Sequence, residues 1–153
     1  MEDNYWNYNR LIGATEEEIE ALLKYEIWMF YETCNQLNSC QATRFERNLL
    51  LESLSTHTRI LIDFFYGKKK YQNDLIAQDL LSDNINWQKE RPSVTEVLKV
   101  AKNKADKQLA HLGRWRVKIE RDNKKVWNWN DIKKDMEIII EKFGRLRNNQ
   151  NLV

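Results

Sequence analysis

Glycine and proline are almost missing from this sequence, with four of the first and one of the second in 153 residues. Many-stranded folds need those residues at their turns, so the scarcity favours a few long helices over many short strands. Cysteine is equally thin. Cys34 and Cys40 match neither a zinc-ligand spacing nor a redox pair. No secretory leader is read at the start, so both are expected as reduced thiols in the cytoplasm. Neither sign of charge dominates: 25 basic residues stand against 23 acidic ones, a net charge of +2. Nucleic-acid binding would therefore have to come from local clustering, not from a global field. No apolar run approaches the ~20 residues that span a bilayer, and no membrane partner is expected. A phosphate-cradling glycine loop and a nucleophile elbow are also missing. So is the Glu-x-x-His di-iron signature, because Leu54 and Gln108 occupy the positions three before the two histidines. No cofactor and no metal are expected.

What is present is ordinary globular material, 42% apolar and 31% charged, in a chain long enough for one domain with a real core. Residues 1–14 read as a polar N-terminal arm whose Tyr5 and Trp6 pack on the body, residues 15–147 as one helical bundle domain, and residues 148–153 as a polar C-terminal tail. Thr15 and Glu18 form a capping box. Behind them Ile19, Leu22, Leu23, Ile27, Phe30, Cys34 and Leu37 recur at helical spacing to about residue 37. A second helix is expected from about Thr43 to Tyr66, stopped by Gly67, and a short one from Asp74 to Leu81. "SDNINWQKERP" reads as a loop. Ser93 with Glu96 reads as another capping box, opening a helix that runs to about Leu112 with Gly113 as its stop. The last helix, about Asn130 to Arg147, carries Ile132, Met136, Ile139, Phe143 and Leu146 on one face. The fold class is all-α: a single bundle of four long helices and one short one.

The second helix is the central one. On a helical wheel its apolar arc, from Leu49, Leu50, Leu51 and Leu54 to Ile60, Leu61, Ile62, Phe64 and Phe65, is roughly 220° wide, so it needs neighbours on several sides. His57 sits inside that arc, between Leu54 and Leu61. It reads either as a core histidine bonded to a carbonyl or carboxylate, or as a catalytic group. Asn48, Glu52, Ser55, Arg59 and Asp63 fill the remaining strip, with Arg59 and Asp63 spaced as an (i, i+4) ion pair. Polar groups on so buried a helix need partners opposite, and the expected source is the helix "SVTEVLKVAKNKADKQLAHLG". There Val94, Val97, Leu98, Ala101, Ala105, Leu109 and Leu112 make the core stripe. His111 borders it, with Lys104 within ~20° of it on the wheel. His111 is either a terminal histidine satisfying helix carbonyls or a reactive group whose protonated form the helix dipole favours.

Directly after it, "RWRVKIERDNKKVWNW" carries Arg114, Arg116, Lys118, Arg121, Lys124 and Lys125, interleaved with Trp115, Trp127 and Trp129. Cations contact phosphates without reading sequence, and indoles stack on unpaired bases at ~1–3 kcal/mol each. This is the expected RNA-binding surface, unless the tryptophans anchor the segment to the bundle and the charges are its solvated side.

Two stretches together, "LLESLSTHTRILIDFFYG" and "ADKQLAHLGRWR", resemble a group of small bacterial helical proteins with an "ES…H-x-R-x-L-x-DFF" helix and a later "AHL" helix end. The likeness covers roughly residues 45–145. In architecture that group is similar to the HEPN superfamily, many of whose members are metal-independent ribonucleases of toxin–antitoxin, phage-defence and RNA-processing systems. The resemblance implies RNA transesterification, with a histidine moving the 2′-hydroxyl or 5′-oxygen proton and a basic group steadying the phosphate. His111 matches the family histidine. The positions where the family places its arginine hold Asp106, Ala105 and Lys104, of which only Lys104 is basic, and lysine lacks the bidentate fork. Arg59 or Arg114, reaching in from elsewhere, would then supply the guanidinium, and His57 and His111 would share the acid and base roles. The same resemblance implies RNA as partner, a homodimer, and an antitoxin or defence-operon protein. The competing readings are a non-catalytic RNA- or protein-binding module that has lost the arginine, and a purely protein-interacting component in which both histidines are structural.

Overall fold

The computed structural model describes residues 14–39, 41–71, 73–108 and 127–148. Its elements are α1 (Glu16–Ser39), α2 (Arg44–Tyr66), a 3₁₀ turn (Ala77–Leu80), the single-turn α3 (Trp87–Glu90), α4 (Glu96–Gln108) and α5 (Trp129–Asn148). Among the described residues there is no strand. Among the described residues four long helices and one short one make the chain all-α, as the sequence pattern leads one to expect. No helix among them is long and apolar enough to cross a membrane.

The helix starts are set by side chains that occupy orphan backbone donors. At α1 the Thr15 hydroxyl accepts from the Glu18 N–H at 3.2 Å while the Glu18 carboxylate accepts from the Thr15 N–H at 2.7 Å. Thr43 and Glu46 build the same box at α2. At α4 the expectation fails by two residues. Thr95, not Ser93, is the cap: its Oγ1 accepts from the Leu98 N–H and donates to Asp135 on α5 at 2.5 Å. One hydroxyl thus starts α4 and docks it on α5, a tertiary contact that the local Ser93–Glu96 pattern cannot offer.

Two further expectations change between α2 and α4. The helix read from Asp74 to Leu81 shrinks to the 3₁₀ turn, because Asp74 is used elsewhere: its carboxylate accepts the N–H groups of Lys70 and Tyr71 and folds a turn. The stretch read as a loop contains α3, capped by the Asn86 side chain on the Lys89 N–H. Trp87 explains its place. Its indole is 3% exposed, and Nε1 donates to the Phe65 carbonyl at 2.7 Å. The Arg91 guanidinium donates to the same oxygen at 2.8 Å, so this late-helix carbonyl of α2 has two donors.

α1 and α2 form an antiparallel hairpin, tied by His57 to Glu26 and by Thr33 to Ser53. α4 runs antiparallel to α2, with Lys102 at Asp63 and Asp106 at Arg59. α5 returns along α1, joined at one end through Asn38, Asn130 and Trp129 and at the other through Arg147 to Glu16 and Glu20. Between them Phe30, Leu54, Leu61, Phe65, Leu98, Met136 and Ile139 are fully buried. Phe64, Phe65, Trp87 and Phe143 pack edge-to-face or tilted, with centroids 4.9–6.1 Å apart. Three residues assigned to apolar faces by spacing are not in this core. Leu22, Leu49 and Ile60 are 56%, 49% and 40% exposed, because no other described element covers that side of the α1–α2 hairpin.

Candidate functional site

The polar residues of α2 point in different directions, and each direction has its own solution. His57 is buried toward α1, where Nδ1 lies 2.7 Å from Glu26 Oε2 and Tyr25 meets the ring edge-on at 6.1 Å. The core-histidine expectation holds, with a carboxylate as the partner. Glu26 was legible as an anomaly: it stands three residues after Leu23 and four before Phe30, so it falls on the buried stripe of α1 itself. Close by on α2, Ser55 and Thr58 are both 0% exposed and their hydroxyls have no hydrogen-bond partner among the described residues.

Arg59, two residues on and therefore about 200° around the helix, faces α4 instead. Asp106 Oδ1 sits 2.8 Å from its Nε but off the N–H axis, so charge more than hydrogen bonding holds that buried oxygen. Asp63 lies 3.8 Å from the same Nε and makes a close ion pair with Lys102. Arg59, Asp63, Lys102 and Asp106 form an alternating four-charge ladder across the α2–α4 seam. The expectation that α4 supplies the partners of α2 is met for Arg59 and Asp63, whereas His57 takes its partner from α1. The (i, i+4) pair between Arg59 and Asp63 is the weaker contact, because the carboxylate across the seam is nearer.

Lys104 faces a third way. It is half-buried, with Nζ 5.7 Å from the centre of the Trp127 ring, and burial holds its ammonium below the usual lysine range. Trp127 is itself buried, and Trp129 donates its indole N–H to Asn38 at 2.8 Å while Arg47 lies over its ring at 5.6 Å. These two indoles anchor the chain to the bundle, Trp127 by burial and Trp129 by its bond to Asn38. The remaining site candidates, His111, Arg114, Trp115, Arg116, Lys118, Arg121, Lys124 and Lys125, lie outside the described residues, as do the N-terminal arm through residue 13 and the tail from residue 149.

Of the candidates that are described, the structure brings His57 to Glu26, Arg59 to Asp106, and Lys104 to Trp127. It does not bring the three to one another. Among the described residues no cluster of three or more His, Cys, Asp or Glu side chains is placed to hold a metal ion. Beside the seam, α1, α2 and the segment after α2 enclose a groove of about 700 Å³. No protein-family model, no curated protein and no solved structure matches this chain.

Proposed function

We propose that this chain is a HEPN-like helical module that binds RNA without cutting it. The observation behind the reading is the divergence of its reactive side chains. A two-histidine or histidine–arginine ribonuclease needs its acid, base and phosphate clamp around one scissile bond. Here His57 is turned into α1 and bonded to Glu26, and Arg59 is held by Asp106 on the opposite side of α2. Binding rests on Arg114, Trp115, Arg116, Lys118, Arg121, Lys124 and Lys125, the basic aromatic run into which α4 leads. Phosphate contacts of that kind give salt-dependent affinity with little sequence preference. A homodimer, and a partner protein of the antitoxin or defence-operon type, belong to the same proposal.

A second reading, a metal-independent ribonuclease acting through His111 and Lys104, is favoured by one observation. Lys104, seven residues before His111 in sequence, is in a partly desolvated position, where a cation acts more strongly on a phosphate. Labelled structured RNA incubated with the protein in excess chelator separates the two. The binding module predicts retention that falls with salt and weakens at least ten-fold in Arg114→Glu/Arg116→Glu/Lys118→Glu, with the RNA intact. Binding unchanged in that variant refutes the proposed surface. Cleavage that disappears in His111→Ala establishes the second reading instead.

A further inference from the structure

A groove of about 700 Å³ lies beside the α2–α4 seam, and nothing in the RNA-binding proposal uses it. It follows α2 from Ser55 to Gly67, about 18 Å at ~1.5 Å per helical residue. Its volume of about 700 Å³ lies within the ~300–1,000 Å³ of small-molecule sites. Leu22, Ile60, Phe64, Leu75 and Ile76 make its walls apolar. Leu22 and Ile60 are the same side chains that the fold leaves more than a third exposed.

The charged groups that line the groove are mostly already compensated. Glu26 is bonded to His57, Arg59 faces Asp106, Asp63 pairs with Lys102, and Asp74 accepts two backbone N–H groups. Asp74 also sits close enough to Lys70 to offset part of its charge. Two polar features are left over, one at each end. At the floor, the Ser55 hydroxyl is wholly buried without a hydrogen-bond partner among the described residues, an unfavourable state for a polar group. At the mouth, Lys68 makes no ion pair among the described residues, and Lys70 stands two residues on, while Lys69 between them is occupied by Asp79 at 2.9 Å. An apolar trough, a surplus cation at one end and an unmet hydroxyl at the other describe a particular kind of occupant.

We propose that the groove binds a long-chain amphipathic carboxylate, its head at Lys68 and Lys70 and its chain along Ile60 and Phe64 toward Ser55. A chain with an oxygen near its far end gains the Ser55 hydrogen bond as well. The seam charges need no rearrangement to admit it. The head is a free carboxylate and not a membrane headgroup, since the trough takes one chain lengthwise.

Calorimetric titration of the full chain below the micelle concentration tests this with dodecanoate, dodecyltrimethylammonium and 12-hydroxydodecanoate. Dodecanoate is expected to bind one per chain, at least ten-fold more tightly than the cation of equal chain length. Lys68→Glu/Lys70→Glu is expected to erase that preference. Ile60→Glu, at an exposed position that leaves the core untouched, is expected to weaken both carboxylates at least ten-fold. The hydroxylated chain is expected to bind several-fold more tightly than dodecanoate, and Ser55→Ala to remove only that difference. Equal binding of anion and cation, no binding of dodecanoate, or no effect of the double lysine variant overturns the proposal. So does co-sedimentation with phosphatidylglycerol vesicles that depends on Lys68 and Lys70, which would assign those lysines to a membrane surface.

Discussion

Replacing His57 by alanine should damage the fold and leave RNA binding intact. The imidazole is 8% exposed, and its Nδ1 provides the hydrogen bond to Glu26, whose side chain is only 13% exposed. Removing the ring leaves that carboxylate nearly buried with no other hydrogen-bond or ion-pair partner among the described residues. A hydrogen bond to a charged group is worth about 1.5–3 kcal/mol, and breaking a buried pair from one side costs about 3–5 kcal/mol. The Glu26 side chain keeps some water, so about 3 kcal/mol is expected, or roughly 6–12 °C in melting temperature for a chain of this size. Glu26→Ala alone should cost less, because a neutral imidazole tolerates burial better than a lone carboxylate. The double variant should then be about 1–2 kcal/mol more stable than the two single losses summed. Urea unfolding of the four proteins gives the cycle, and filter binding to labelled RNA is read in parallel. Strict additivity, or a His57→Ala loss under about 0.5 kcal/mol, would refute the assignment of His57 to the core, and unfolding within error of wild type together with lost RNA binding would make it a ligand group.

Three other outcomes follow from the same packing. Gly144 lies inside α5 with open space where a Cβ would stand, so Gly144→Ala should stabilise by about 0.5–1 kcal/mol in denaturant melts; a loss would mean the site is tighter than it is here. Thr43→Ala removes the hydroxyl half of the α2 capping box and should cost about 1 kcal/mol, with Thr43→Ser recovering most of it. Burial pushes the Cys34 thiol up to about 11 and, with Glu137 and Glu141 adding to it, the Tyr31 hydroxyl up to about 12. Both groups keep their protons longer folded than unfolded, so the unfolded chain binds fewer protons in that range. Their contribution is complete below the ordinary values near 9 and 10, and is lost as pH climbs through about 11 and 12. Urea melts at successive alkaline pH values should show that decline, and a flat profile would contradict the burial of both side chains.

Much of the fold was legible because helices are local objects. Thr15 with Glu18, and the stripe of Ile132, Met136, Ile139 and Phe143, fix starts and faces from neighbours within a turn or two. The failures come where the deciding partner is distant in sequence. Thr95 displaces Ser93 as the cap because Asp135 lies across from it. Trp87 orders a turn in a polar loop because the Phe65 carbonyl awaits it. Leu22, Leu49 and Ile60 have core spacing, yet spacing shows only which residues share a face and not whether another element covers it. At the candidate site the sequence named His57 and Arg59 as polar intruders on a buried helix, and Glu26 was equally visible as a break in the apolar stripe of α1. That Arg59 answers to Asp106 depended on how α4 lies along α2, which no local pattern contains.

The doubly occupied carbonyl of Phe65 has a consequence for how this protein can vary. A main-chain oxygen belongs to whatever residue stands at position 65, so substitution there changes the ring packing but keeps the acceptor. Everything that can be lost by mutation lies on the donor side, in the indole of Trp87 and the guanidinium of Arg91. Either donor alone still satisfies the oxygen, so the chain tolerates drift at one of them while the other stands. At this carbonyl the connection between α2 and α4 is therefore anchored with built-in redundancy, since the oxygen goes unmet only when both donors are lost.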